Sequence, residues 1–166
     1  MKSAVVVVAV ALFGINFSGS AIAASPKPNP TSVHRILTAT AKRPLLVIPG
    51  DAINVVLPEG KLSVLLVGPK IPPNTSAEVL SGTFYFNFHQ LSGSSIIDIH
   101  DFGILDGNAT LIRPVAFDDG RTKVLLHSGQ KLAVSLTELM AVGTGTLRWA
   151  PLKHYVADWQ FVEETA

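Results

Sequence analysis

The chain has 166 residues, 48% of them hydrophobic and 15% charged, with a formal net charge of +1 and no cysteine. Disulfide staples, thiol nucleophiles and cysteine-based metal sites are therefore excluded, and the fold must hold by packing. Residues 24–50 carry Lys27, Arg35, Lys42 and Arg43 and no acid, while eight bases face twelve acids from Asp51 onward, a distribution too sparse for a nucleic-acid surface.

Lys2, the apolar run Ala4–Phe13 and the small-x-small triplet Ala21-Ile22-Ala23 have the form of an export signal over residues 1–23. The run is shorter than the roughly 20 residues of a membrane span, so no stable span is expected after cleavage. The expected product is secreted or envelope-associated, starts near Ala24 and keeps about 143 residues, a single-domain length. Ser25–Pro30 holds three prolines in six residues, which keeps the chain extended and unpaired. Residues 24–44 are read as a basic, proline-containing arm and 45–166 as the folded domain. Val33–Thr40 within that arm fits either an edge strand or a short helix.

Leu45–Ile48 is an apolar run closed by Pro49-Gly50. Ile53, Val55 and Leu57 then alternate, Pro58-Glu59-Gly60 turns the chain, and Leu62–Val67 follows, which together predict a hairpin. Gly68–Ser76 is a proline-rich loop. Asn74-Thr75-Ser76 and Asn108-Ala109-Thr110 match the glycosylation acceptor pattern, which has meaning only in a eukaryotic source.

In Gly82–His89, Phe84, Phe86 and Phe88 alternate with Thr83, Tyr85, Asn87 and His89. Side chains on a strand alternate between faces, so this is a half-buried strand whose aromatic side needs a second layer. Ser92–Ser95 is expected to end it, and Ile97 and Ile99 alternating with Asp98 and His100 predict a further strand. Strands are also expected at Leu111–Phe117, which Pro114 demotes to an edge or bulge, and at Lys123–Leu126, Lys131–Thr137, Leu147–Trp149 and around Trp159–Phe161. Asp106-Gly107-Asn108, Asp118-Asp119-Gly120 and Ser128-Gly129 are turn signals. Thr137–Val142 is long enough for one helical turn, and Gly143-Thr144-Gly145 reads as a flexible link. Seven to nine short strands with turns between them indicate an all-β antiparallel sandwich, or a barrel.

Candidate chemistry is thin. His34, His89, His100, His127 and His154 are scattered. Asp98 and His100 share a predicted strand face, and His89 on the neighbouring strand would complete a nitrogen and oxygen ligand set for zinc or copper. The plainer reading is a polar sheet face, so no metal and no cofactor is assigned. No Gly-x-Ser-x-Gly elbow is present, and adjacent His127 and Ser128 would point to opposite faces. Asp118-Asp119 is explained by its turn, and no phosphate-binding glycine loop occurs. Trp149 and Trp159 share faces with Leu147 and Phe161, which places them in the core.

The order of features from Leu80 to Pro151 resembles the small secreted mycobacterial immunogenic-antigen family. The residues that carry it are Phe84–His89 running into Gln90-Leu91-Ser92-Gly93-Ser94, Phe102 ahead of Asp106-Gly107, Ser128-Gly129-Gln130, and Leu147-Arg148-Trp149-Ala150-Pro151 as a Leu-x-Trp-x-Pro close. The chain departs from that family in continuing to Ala166 and in its longer arm. The resemblance implies an immunoglobulin-like sandwich without the disulfide and an exported, host-exposed, antigenic protein, and it supplies no catalytic residue.

Three functions follow as expectations. The first is an exported non-enzymatic immunoglobulin-like module, a monomer that binds a protein or envelope component. The second is a small-ligand carrier whose aromatic faces line a barrel cavity. The third is a metal-dependent enzyme using His89, Asp98 and His100.

Overall fold

The computed structural model describes residues 36–72, 78–153 and 155–163, all in the unit His34–Ala166. Eleven strands are present among them: β1 (Leu37–Thr40), β2 (Leu45–Val47), β3 (Ala52–Leu57), β4 (Gly60–Lys70), β5 (Val79–Asp98), β6 (Phe102–Leu105), β7 (Leu111–Ile112), β8 (Lys123–His127), β9 (Lys131–Ala141), β10 (Gly143–Trp149) and β11 (Ala157–Glu163). One sheet has the order β1-β3-β4-β5, with both β8 and β9 on the far side of β5; the other has the order β2-β11-β10-β6-β7. Packed face to face, they make the disulfide-free β-sandwich expected from the strand pattern. Two pairings, β1 with β3 and β2 with β11, are parallel, and both lie at sheet edges; the rest are antiparallel.

The phenylalanine strand joins the layers. Phe84, Phe86 and Phe88 are fully buried on one side of β5, while Tyr85 and Asn87 face out. Each ring meets the opposite sheet at a different strand: Phe84 meets Phe161 of β11 with centroids 5.1 Å apart, Phe86 meets Phe102 of β6 at 5.1 Å, and Phe88 meets Trp149 of β10 at 5.8 Å. Cross-strand partners complete the same face. Val64 and Leu66 lie opposite Phe88 and Phe86 on β4, and Leu132, Val134 and Leu136 lie opposite all three on β9. Burying one such side chain contributes about 1.5–3 kcal/mol, so this interlayer seam dominates the stability.

The strand does not end at Ser92–Ser95. β5 continues for 20 residues to Asp98, and β8 and β9 lie in line along its one side, pairing Asp98 with Lys123 at one end and Val79 with Ala141 at the other. Both Ser-Gly signals hold a glycine at positive φ, Gly93 (+68°) in register with Gly60 of β4 and Gly129 (+82°) beside Gln90 on the other side of β5. Gly129 N–H donates to Gln90 O at 2.8 Å and Gln90 N–H to Gln130 O at 2.9 Å. Positive φ serves a bulge as readily as a turn: β5 runs on through Gly93, whereas Ser128-Gly129 is the expected turn between β8 and β9, closed by Gln130 N–H to His127 O at 2.9 Å. Any Cβ on Gly93 would collide with the Glu59 carbonyl.

Other expectations are corrected in the same region. Thr137–Val142 is not helical: β9 runs through to Ala141, and Gly143-Thr144-Gly145 opens β10. One residue, Val142, therefore separates a strand of one sheet from a strand of the other, and Gly143 turns this corner with φ +132°. Asp106, buried, fastens the corner to the Asp106-Gly107-Asn108 turn. Its carboxylate accepts from the N–H groups of Asn108 (3.0 Å), Thr110 (2.8 Å) and Ala141 (3.1 Å). Leu111–Phe117 is a strand only at Leu111–Ile112, and the chain beyond Pro114 is a loop lying along the open edge of β9. There Asp118 N–H donates to Ser135 O and its carboxylate accepts from Thr137 N–H at 2.8 Å, covering an edge that would otherwise offer unpaired groups.

The sheet also begins earlier than residue 45. Leu37–Thr40, placed in the arm by composition, is a strand whose Ala39 is fully buried against β3. At the other end, β11 sits inside its sheet, between β2 and β10, with Trp159 fully buried and Phe161 nearly so. The signal segment, Ser25–Pro30, His34, Asn74-Thr75-Ser76 and His154 lie outside the described residues.

Candidate functional site: a cleft on the outer face of one sheet

The alternation that sends Leu147 and Trp149 of β10 into the core leaves Thr146 and Arg148 on the outside. On β6, Ile104 goes in and Gly103 and Leu105 come out to the same surface. Register then sets Gly103 beside Arg148, and Arg148 beside Asp158 of β11. Leu111 and Arg113 rise on the β7 side. The short 3-10 turns Ile99–Asp101 and Pro151–Lys153 close the opposite end, tied together by the Ala150 N–H to Asp101 O bond of 2.8 Å. The result is a cleft of about 360 Å³, within the usual size of small-molecule sites.

Its floor is apolar. Gly103 contributes no side chain, and a Cβ placed there would meet only Leu111 Cδ1, at 3.4 Å. Leu105 and Leu111 expose a substantial part of their surface beside it. The walls are cationic. Arg148 forms a two-pronged pair with the buried Asp158, Nε to Oδ1 at 3.0 Å and Nη2 to Oδ2 at 2.9 Å, and its guanidinium carbon stands 4.8 Å from the centre of the Tyr155 ring. Arg113 and Lys153 line the same cleft and have no ion-pair partner among the described residues.

One acid shares the cleft. Burial, and then the nearby Asp98 carboxylate, push the Asp101 carboxyl up to about 6, against the opposing pull of Lys123 and His100. Asp98 behaves oppositely. Burial would raise it, but Lys123 Nζ at 2.9 Å from Oδ2, the His100 backbone N–H at 3.0 Å and the His100 ring at 2.9 Å outweigh that and bring it to about 2.

The sequence-predicted metal trio is not brought together. Asp98 and His100 do touch, but as the N-cap and second residue of a 3-10 turn and not as neighbours on a strand face. His89 lies nine residues earlier on β5, opposite Ser63 and Lys131, roughly 30 Å away along a straight strand and beyond the Gly93 bend. The described residues contain no group of three or more His, Cys, Asp or Glu placed to hold one metal ion. The barrel-cavity expectation is corrected as well: the aromatic faces are packed into a core, with Trp149 and Trp159 fully buried, and the cleft lies outside the layers. Arg113, Lys153 and Asp101 carry no motif and escape sequence reasoning. The available signal is Gly103, a glycine inside a strand, which often marks a surface left open to another molecule.

The fold and cleft together define a two-layer β-sandwich with one amphipathic surface site. No family model matches the chain, and no curated protein matches it. Among solved structures it is similar to the secreted protein MPT63 of Mycobacterium tuberculosis, at 11% identity and a TM-score of 0.48 over 71% of this chain and 98% of that one. It is also similar to the yjhA protein of Bacillus subtilis, at 14% identity and a TM-score of 0.47 over 71% and 99%. The mycobacterial family that the sequence resembles is not shown by any family model. No helix among the described residues is long and apolar enough to cross a membrane.

Proposed function

We propose that this chain is an exported, non-enzymatic β-sandwich that binds a partner through the cleft over Gly103. The observation that carries this reading is a hollow on the outer face of one sheet, outside the packed core, lined by exposed leucines and by Arg113 and Lys153, which have no ion-pair partner among the described residues. Such a combination of apolar lining with a few placed polar groups is the usual composition of a binding site. The signal-like first 23 residues support export.

The reading is tested with the protein lacking residues 1–23, immobilised and exposed to envelope and culture fractions. Gly103→Val fills the cleft with a β-favouring side chain whose Cβ has only Leu111 to accommodate. Capture that Gly103→Val abolishes, at an unchanged melting temperature, supports the cleft as the site. Equal capture by both proteins refutes it. Recovery of a captured molecule in chemically altered form would refute the non-enzymatic part.

A further inference from the structure

Taking the cleft as the binding site, we infer that its ligand is an aliphatic monocarboxylate, with the chain lying over Gly103 against the Leu105–Leu111 pair and the carboxylate held by Arg113 and Lys153. This deepens the proposed function and rests on it.

Three observations select this chemistry. The floor is hydrocarbon: Leu105, 42% exposed, and Leu111, 53% exposed, are cross-strand partners that stand together beside Gly103, a strand position with no side chain. An unbranched chain can lie over Gly103 against that pair, whereas a sugar would want a flat aromatic platform and a fan of hydrogen-bonding groups. Trp149, the large aromatic on this stretch of β10, is turned fully into the core instead.

The second observation is the charge count. Arg148 is already matched by Asp158 through two hydrogen bonds, so it acts as a fixed neutral pair with spare N–H donors. Arg113 and Lys153 are unmatched, and Asp101 supplies one negative charge when ionised. One net positive charge then remains, which suits a single carboxylate better than a phosphate dianion. Third, Arg and Lys at the rim of an apolar trough are the arrangement that reads a charged head and a greasy tail separately. Arginine pairs with a carboxylate in a planar, two-pronged fashion, while lysine adds a point charge.

Asp101 sets the pH response of this site. Asp98, His100 and Lys123 surround it, Lys153 stands in the 3-10 turn tied to its own, and Arg113 and Arg148 line the same cleft. When ionised it opposes a bound carboxylate, so its removal should tighten binding at neutral pH.

The experiment is isothermal titration calorimetry of the protein lacking residues 1–23 with sodium decanoate, with 1-decanol and sodium acetate as the tail-only and head-only probes. One-to-one saturable binding of decanoate is expected, with no saturation by either partial probe in the same range. Arg113→Gln and Lys153→Gln should each weaken decanoate about tenfold, Asp101→Asn should tighten it severalfold at pH 7, and Gly103→Val should remove it. Decanol binding as tightly as decanoate, or indifference to both cation replacements, overturns the carboxylate assignment. If decanoate fails to bind while Gly103→Val still abolishes partner capture, the ligand class is wrong and the site stands. If Gly103→Val changes neither measurement, both fall.

Discussion

Asp101 and Asp98 are three residues apart and are driven in opposite directions by what surrounds them. Asp98 gathers a lysine, a backbone N–H and a histidine ring; Asp101 is desolvated beside Asp98 and gathers too little to compensate. Asp101, raised from 3.8 to about 6, binds its proton more tightly folded than unfolded. Its contribution is therefore fully favourable below about pH 4 and is lost as pH rises through 6. Asp101→Asn is expected to stabilise the protein by about 1 kcal/mol at pH 7, after allowing for partial solvent screening, and to have almost no effect at pH 4. Urea denaturation at the two pH values measures this; equal effects at both would contradict the assignment. Asp98 has the reverse sign: its stabilisation is present above about pH 4 and is lost as pH falls toward 2.

At the scale of the element, β5 shows which features the sequence reveals and which it conceals. Its buried face was legible because period two is a property of any strand, whatever it pairs with. Phe84, Phe86 and Phe88 had to share one side, and with them came the two-layer architecture. The length of β5 was hidden, because Ser92-Gly93 is locally indistinguishable from a turn, and only the pairing of Ser94–Asp98 with β8 reveals that the strand runs on. The candidate site was illegible for a related reason. Gly103, Arg113, Arg148 and Lys153 belong to different segments, and the hydrogen-bond register between β6 and β10 is what makes neighbours of the first and third. Asp98 and His100 were legible as a pair, yet the chain supplied a capped turn where alternation suggested a strand. The bend makes its own prediction. Gly93→Ala forces a side chain into positive φ and against the Glu59 carbonyl, and should cost about 2–4 kcal/mol in chemical denaturation. A loss below about 1 kcal/mol would mean that the ribbon can straighten.

Across the whole molecule, the last strand is structural and not an appendage. β11 lies between β2 and β10 and contributes Trp159 and Phe161 to the seam met by β5. Without it, β2 loses its pairing partner and Phe84 loses the ring it packs against. A chain ending at Leu152 is expected to lose its cooperative thermal transition and the dispersed amide spectrum of a folded β protein; a sharp transition in that fragment would contradict the interior placement of β11. The parallel alignment of β2 with β11 has a mechanical corollary. Tension applied just before β2 and just after β11 pulls β2 toward its own start and β11 toward its own finish. Because the strands point the same way, the bonds between them are loaded together in shear instead of parting one after another. A molecule held just before Leu45 and tugged beyond Glu163 would resist at this small seam.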